Sequence, residues 1–98
     1  MREDMHKGHR LRMKRRFLKT GLDTFKDHNV LELLLFYGVP QKDVNPMAHT
    51  LLEQFGTLAG VFDAPAEELV KVPGVGESVA VLLKLIPQVS RRYLISRV

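Results

Sequence analysis

The stretch that most constrains this chain is Val72-Pro73-Gly74-Val75-Gly76, which lies between two segments of helical character. Pro73 should end the upstream helix because proline has no N–H and disfavours a helical conformation for Val72. Gly74 and Gly76 can adopt positive φ at little cost, so the chain can reverse tightly here. The pattern predicts a short helix over Glu67–Lys71, a reversal, and a longer helix with Gly76 or its neighbour at the N-cap.

Such a reversal points unpaired backbone N–H groups outwards at the positive end of a helix dipole, which suits an anion such as phosphate. Contacts of this kind go to the nucleic-acid backbone, so binding would be independent of base sequence. The predicted phosphate contacts are the N–H groups of Gly74, Val75 and Gly76, the nearby cations Lys71 and Lys84, and the hydroxyl of Ser78.

Glu77 weighs against a strong phosphate site. A carboxylate in the first helical turn competes with phosphate for the same N–H groups. The alternative interpretation is structural: the glycines form a tight turn, and Glu77 is an ordinary residue of a helix start. Both interpretations stay open at the level of the sequence.

Positive charge is concentrated at the N-terminus. The first 20 residues contain eight Lys or Arg and two acidic residues, a net charge of +6, whereas residues 21–98 carry −2. A helix is predicted from His9 to Thr20, and its basic residues could lie along a nucleic-acid backbone. In the other interpretation, this helix has a solvated basic face and packs Leu11 and Phe17 on the domain. The candidate contacts in this segment are Arg10, Arg12, Arg15 and Arg16.

Three further segments have helical patterns with start signals. Asp27 is a predicted N-cap for residues 28–37, and Asn45 is a predicted N-cap with Pro46 at the first helical position. A short helix is predicted over residues 57–62. The last helix runs from Glu77 towards Ser96, with a kink or a break at Pro87. The sequence therefore predicts an all-α fold of five or six short helices.

A faint internal repeat links two of the helical hairpins. Val39-Pro40 stands in the same place as Val72-Pro73, between an apolar helix and a helix with a small residue near its start. Ala48 follows Pro40 by eight residues and Ala80 follows Pro73 by seven. The first hairpin is thus one residue longer and lacks both glycines, so we expect it to be a structural copy.

Composition limits the class of protein. A chain of 98 residues is expected to form one domain. With no cysteine, no apolar signal segment and no apolar run long enough for a membrane span, we expect a cytoplasmic protein without a membrane partner. The four histidines have no arrangement typical of metal ligands, and no nucleophile with a base can be assembled from spacing. We therefore expect no enzyme activity, no metal site and no cofactor in this chain.

Several ordered motifs resemble a known family. The residues from Leu69 to Leu83 resemble the helix-hairpin-helix motif of DNA-binding and repair proteins. The chain as a whole resembles the N-terminal domain of RadC-type (UPF0758) proteins, over roughly residues 6–94. The motifs that carry this resemblance are Gly8-His9-Arg10-x-Arg12, Arg16-Phe17-Leu18, Asp27-His28-x-x-Leu31-Glu32 with the apolar run after it, Asp43-x-Asn45-Pro46 and Phe55-Gly56-x-Leu58.

The resemblance implies a domain organisation. Residues 1–8 would form a flexible N-terminal arm, and residues 9–98 a compact domain with one clear and one degenerate helix-hairpin-helix, similar to domain 2 of RuvA. The JAB/MPN domain that usually follows in the family is absent from this chain. Hairpins of related folds sometimes hold a monovalent cation on their carbonyl groups, and the resemblance implies the same possibility here.

These observations predict a module that binds DNA weakly and without sequence specificity, on behalf of a RadC-like DNA repair protein. The contact would be made with phosphates through residues 73–76. The alternative is a protein-interaction module that positions the family's C-terminal JAB/MPN domain on a partner or substrate.

Overall fold

The computed structural model describes the backbone of residues 2–98 and the side chains from residue 8 onwards. Over these residues the chain is all-helical, with six helices and no strand, which confirms the predicted fold class. The helices are α1 (Arg2–Thr20), α2 (Asp27–Leu35), α3 (Asn45–Phe55), α4 (Leu58–Asp63), α5 (Ala66–Leu69) and α6 (Glu77–Ser96).

The first helix begins earlier than its sequence pattern predicts, at Arg2 and not at His9. The flexibility predicted for the N-terminal arm falls largely on residues whose side chains lie outside the described part of the chain, and it stays a prediction. None of the helices, over the described residues, combines the length and the apolar character needed to cross a membrane.

The predicted N-caps of two helices are wrong by one residue. Helix α2 starts at Asp27, so Lys26 is its N-cap, and Asn29 Oδ1 accepts from the Lys26 N–H at 3.4 Å. Helix α3 starts at Asn45 itself, and Asp43 Oδ1 accepts from the Asn45 N–H at 3.0 Å. The Asn45 side chain is not used as a cap because it binds a buried carboxylate.

Helix α6 continues through Pro87 to Ser96, so the predicted break into two helices does not occur. Proline removes one hydrogen bond of the helical ladder, yet the helix is uninterrupted on both sides of Pro87. The 20 residues of this helix span about 30 Å, at the usual rise of an α-helix.

The chain divides into two compact units at His49. In the first unit, residues 1–49, helix α1 contacts α2 and buries Met13. Leu11 and Phe17, which one of the two interpretations of this helix packs on the domain, are 48% and 39% exposed. The buried apolar residues of this unit are Met13, Leu31, Leu35, Phe36, Val44 and Ala48.

In the second unit, residues 50–98, helices α4 and α5 both contact α6. Thr57 caps α4 by accepting from the Gly60 N–H at 2.9 Å, and α5 follows directly after Pro65. The buried apolar residues of this unit are Leu51, Val61, Ala64, Leu69, Val72, Val75, Val79, Ala80 and Leu83.

The two Val-Pro turns have related backbone conformations. The residue after each proline has positive φ: 63° at Gln41 and 86° at Gly74. Each following helix closes its first turn on an alanine, because the Ala48 N–H donates to Val44 O and the Ala80 N–H donates to Gly76 O, both at 3.0 Å. Both alanines are buried. The predicted repeat is therefore present in the local backbone, and its assignment as a helix-hairpin-helix pair stays a prediction.

Candidate nucleic-acid interface

The reversal between α5 and α6 is built on a single β-turn. The Val75 N–H donates to Val72 O at 3.0 Å, with Pro73 and Gly74 as the two central residues. Proline followed by a residue of positive φ is the signature of a type II turn, and Gly74 supplies a φ of 86°. Both central residues are exposed, whereas Val72 and Val75 are buried and hold the two ends of the turn on the core.

Gly76 is the N-cap of α6, as predicted, but it does not use the conformational freedom of glycine. Its φ is −99° and its ψ −171°, an extended conformation that other residues adopt readily. No side chain caps this helix. Among the residues that the structure describes, the N–H groups of Gly76, Glu77 and Ser78 have no hydrogen-bond partner. These three residues are exposed, and their N–H groups lie at the positive end of the α6 dipole.

The role predicted for the Val75 amide is not compatible with this geometry. Val75 is only 5% exposed, and its N–H is already donated within the turn. The Gly74 N–H, by contrast, has no hydrogen-bond partner among the described residues. A phosphate at this turn would therefore be held by the amides of Gly74 and of residues 76–78, with the Ser78 hydroxyl exposed beside them.

The two lysines predicted to assist the turn are both engaged elsewhere. Lys71 Nζ lies 2.6 Å from Glu68 Oε2, and its hydrogen bond to that carboxylate and the carboxylate's charge raise the pKa of Lys71. Lys84 Nζ donates to the carbonyl oxygen of Phe62 at 3.0 Å and thereby ties α6 to α4. Glu77 is exposed in the first turn of α6. The turn thus offers amide donors but little net positive charge.

Two of the four candidate arginines in α1 are anchors of the first unit. The Arg10 guanidinium donates to three carbonyl oxygens, those of Phe36 at 3.0 Å, Val39 at 2.6 Å and Lys42 at 2.6 Å. Arg16 donates to Thr24 O at 2.6 Å, and its guanidinium carbon lies 4.1 Å from the centre of the Phe25 ring. Because their guanidinium groups already donate to carbonyl oxygens of the protein, they are less available to an external phosphate.

Three other cations of α1 face solvent. Arg12, Arg15 and Lys19 are exposed, and within the described part of the chain they form no hydrogen bond or ion pair. Their spacing of three and four residues places them on one face of the helix. These three side chains form the basic ridge of α1, the clearest cationic surface of the first unit.

Sequence reasoning missed a buried polar cluster around Glu32. This carboxylate is 1% exposed and accepts from Asn29 Nδ2 at 3.3 Å and from Asn45 Nδ2 at 3.1 Å through Oε1. Its Oε2 lies 3.2 Å from His9 Nε2. A buried carboxylate needs such partners because leaving water is costly for a charge. The signal was available, since three of these four residues belong to the motifs that carry the family resemblance.

The histidines that seemed unrelated in the sequence are partly brought together. The rings of His28 and His49 stack with centroids 4.4 Å apart. Among the described side chains, no group of three or more His, Asp or Glu residues is arranged to hold a metal ion. The structure therefore adds a stacked histidine pair to the first unit, beside the polar cluster around Glu32 described above.

Comparisons with known proteins identify the family. Residues 3–81 match the family described as UPF0758 N-terminal. A UPF0758 protein of Ruegeria pomeroyi is 41% identical over 90 residues, covering 92% of this chain and 40% of its own length. A UPF0758 protein of Fusobacterium nucleatum is 40% identical over 86 residues, covering 88% of this chain and 37% of its own length. This chain thus spans about two fifths of these relatives, and no solved structure matches it significantly. The chain belongs to the UPF0758 family, the RadC family that its sequence motifs resemble.

Proposed function

We propose that this chain binds the phosphate backbone of DNA, weakly and without sequence specificity, through the turn between α5 and α6. The observation that supports this most is that the N–H groups of three exposed residues, Gly76, Glu77 and Ser78, have no hydrogen-bond partner in the described protein. They stand at the N-terminus of a 20-residue helix, where backbone amides and the helix dipole both favour an anion.

The expected affinity is low because the turn has little charge of its own. Residues 50–98 contain five basic and five acidic residues, so the second unit is neutral overall. Phosphate neutralisation by Lys and Arg supplies most non-specific affinity. A dissociation constant in the usual non-specific range of about 10⁻⁴ to 10⁻⁶ M at physiological salt is therefore expected. DNA, and a role in repair, are favoured by the resemblance to RadC-type and helix-hairpin-helix proteins.

The basic ridge of α1 is a separate candidate contact with DNA phosphates. Each phosphate that Arg12, Arg15 or Lys19 neutralises should add about 0.9 to the slope of log affinity against log salt concentration. Arg12→Gln combined with Arg15→Gln is therefore expected to lower that slope by up to about 2. Arg10 and Arg16 are left intact in this test because they bind backbone carbonyls of the protein.

The turn itself is tested with a matched pair of variants at Gly76. A Cβ at this position would meet no atom within 4 Å, and the backbone is extended, so both Gly76→Glu and Gly76→Gln should fold. Glu adds a negative charge among the amides, and Gln adds a side chain of the same size without charge. We expect Gly76→Glu to weaken binding to a fluorescent duplex at low salt several-fold more than Gly76→Gln.

If both variants bound DNA as tightly as the wild type, with helicity unchanged by circular dichroism, phosphate binding at the turn would be contradicted. Affinities reduced to the same extent in both would indicate steric occlusion without a role for charge, and would also count against an anion site. The comparison should be made at two salt concentrations, because a phosphate contact is sensitive to salt.

A second candidate function is a protein-interaction module that positions the JAB/MPN domain of the family. It is favoured by the apolar end of α6, where Leu94 and Ile95 are 60% and 62% exposed. Exposed large apolar side chains that lie together mark contact surfaces. Binding of the separately produced JAB/MPN domain with little dependence on salt, and no response to DNA, would favour this candidate over the first.

A further inference from the structure

Helix α6 carries an apolar stripe on the face opposite the core. Val81, Leu85, Val89 and Tyr93 are spaced four residues apart and are 58%, 50%, 53% and 54% exposed. Four residues turn an α-helix by about 400°, so each member is displaced by about 40° from the one before it, and the row winds by about 120° around α6 from Val81 to Tyr93. The stripe is about 18 Å long at the rise of an α-helix. Such a continuous row is typical of a contact surface and not of scattered surface residues.

A groove of about 540 Å³ borders the N-terminal half of this stripe, between α5 and α6. Its apolar lining includes Ala66, Val70 and Ala80, and Glu67 and Glu77 are the acidic residues at its edge. Lys84 also lines the groove, but its amino group is bound to a carbonyl oxygen of α4. The groove is therefore a place for an apolar side chain that is accompanied by a positive charge.

The chain itself contains such a pair at the C-terminal end of α6, formed by Tyr93 and the C-cap residue Arg97. Arg97 donates to the hydroxyl of Tyr93 at 3.0 Å, and its guanidinium lies 5.6 Å from the centre of the Tyr93 ring. An aromatic ring with a guanidinium beside it has the two properties that the groove requires. Tyr and Arg are also the side chains most enriched at the energetic centres of protein interfaces.

We propose that the occupant of this face is a second copy of the chain, with the two α6 helices packed antiparallel around a two-fold axis beside residue 87. In this register Val81 faces Tyr93 of the second copy, and Leu85 faces Val89 of the second copy. Because a two-fold interface uses the same patch on both chains, each Tyr93 enters the groove of the other copy. Rows of side chains four residues apart favour a crossing angle near −50°.

The charges of α6 agree with this orientation. The same register sets Glu77 beside Arg97 of the second copy, so each acidic edge of the groove receives a guanidinium. Antiparallel packing also brings the positive end of one helix dipole near the negative end of the other. A parallel arrangement would set like charges and like helix ends together, which disfavours it. This inference rests on the second unit alone and does not depend on the proposed DNA binding.

The oligomeric state is the first test. Sedimentation velocity of the full chain over a range of concentrations should show a monomer–dimer equilibrium. Leu85→Glu should abolish the dimer because it buries an unpaired charge at the centre of the stripe. Leu18→Glu is the matched control, since Leu18 is 81% exposed on α1 and lies outside the stripe. A wild-type chain that stays monomeric at all concentrations, or equal effects of the two substitutions, would overturn the proposal.

Charge reversal tests the orientation. Glu77→Arg and Arg97→Glu should each raise the dimer dissociation constant several-fold, and the double variant should recover most of the loss, because the pair is restored with its signs exchanged. No recovery in the double variant would overturn the antiparallel register.

Intermolecular paramagnetic broadening gives an independent test of the register. The chain has no cysteine, so Ser96→Cys accepts a single spin label. Ser78 and Ser96 of one chain lie about 27 Å apart along α6. At this distance a spin label on residue 96 broadens the amide signals near residue 78 of its own chain only weakly. The spin-labelled chain, without isotope enrichment, is mixed with nitrogen-15 enriched chain that has no spin label. In the antiparallel dimer, the amide signals of residues 77–81 of the enriched chain should broaden. Broadening of residues 93–97 instead would indicate parallel helices and overturn the proposal.

Discussion

The type II turn at Gly74 makes a quantitative prediction, because its backbone conformation strongly favours glycine. The φ of Gly74 is 86°, in the left-handed region, where a Cβ crowds the following carbonyl oxygen. Gly74→Ala should therefore cost about 1–2 kcal/mol of unfolding free energy. For a domain of this size, each kcal/mol lowers the melting temperature by about 4–8 °C, so a decrease of about 5–15 °C is expected.

Gly76, two residues along, is the matched control. Its φ is −99°, a Cβ would meet no atom within 4 Å, and serine is a favourable N-cap residue. Gly76→Ser should therefore change the unfolding free energy by no more than about 0.5 kcal/mol. Both variants can be compared with the wild type by thermal and urea unfolding. If Gly74→Ala were as stable as the wild type, or if Gly76→Ser were equally destabilised, the turn would not have the conformation described above.

Three further substitutions have definite expected outcomes. Gln41→Gly should stabilise the chain by about 0.5–1 kcal/mol in urea unfolding, because it relieves a φ of 63° at a non-glycine residue; a loss of stability would contradict this. Glu32→Ala should cost about 1–3 kcal/mol in the same assay, since it leaves two half-buried asparagine donors without an acceptor. Glu32→Gln keeps an acceptor and should cost clearly less, so equal losses would refute the role given to Oε1. Glu77→Gln should tighten DNA binding about two- to fivefold in fluorescence anisotropy, because it removes a carboxylate that competes with phosphate at the start of α6, and unchanged affinity would show that the carboxylate does not compete.

Local sequence signals predicted the helices and the reversal well. Pro73 and Gly74 occupy the two central positions of the turn, and Gly76 is the N-cap of α6, because these are strong backbone preferences that need no knowledge of the rest of the chain. The two Val-Pro turns are likewise followed by buried alanines, Ala48 and Ala80, at the positions that the sequence repeat indicates. Such features depend on residues close in sequence.

Features that depend on distant residues could not be predicted. Asn45 has the side chain of an N-cap, yet it binds Glu32, which lies 13 residues away. Lys84 and Arg10 were assigned to phosphate contacts from their charge, but carbonyl oxygens at sequence separations of 22 to 32 residues bind them. A cation's availability is set by its three-dimensional neighbours, which composition does not reveal.

The sequence also could not locate the apolar stripe on α6. Five apolar residues of α6 follow helical spacing, namely Val79, Ala80, Leu82, Leu83 and Ile86. Val79, Ala80 and Leu83 are buried, whereas Leu82 and Ile86 are half-buried. Val81 and Leu85 are equally apolar, however, and only the structure shows that they lie on the opposite side, half exposed. Hydrophobic periodicity identifies a helix but cannot by itself distinguish a face that is covered by the chain from one that is left for a partner.

The most direct test of the central claim is a backbone-amide titration by nuclear magnetic resonance, with a short DNA duplex added to nitrogen-15 labelled chain at low salt. Phosphate binding at the turn predicts the largest shift changes at Gly74, Gly76 and Ser78, with little change at the Val75 amide, which is already bonded within the protein. The changes should diminish as salt is added. If these amides do not move while other signals do, the turn is not the phosphate site and the proposed function is contradicted.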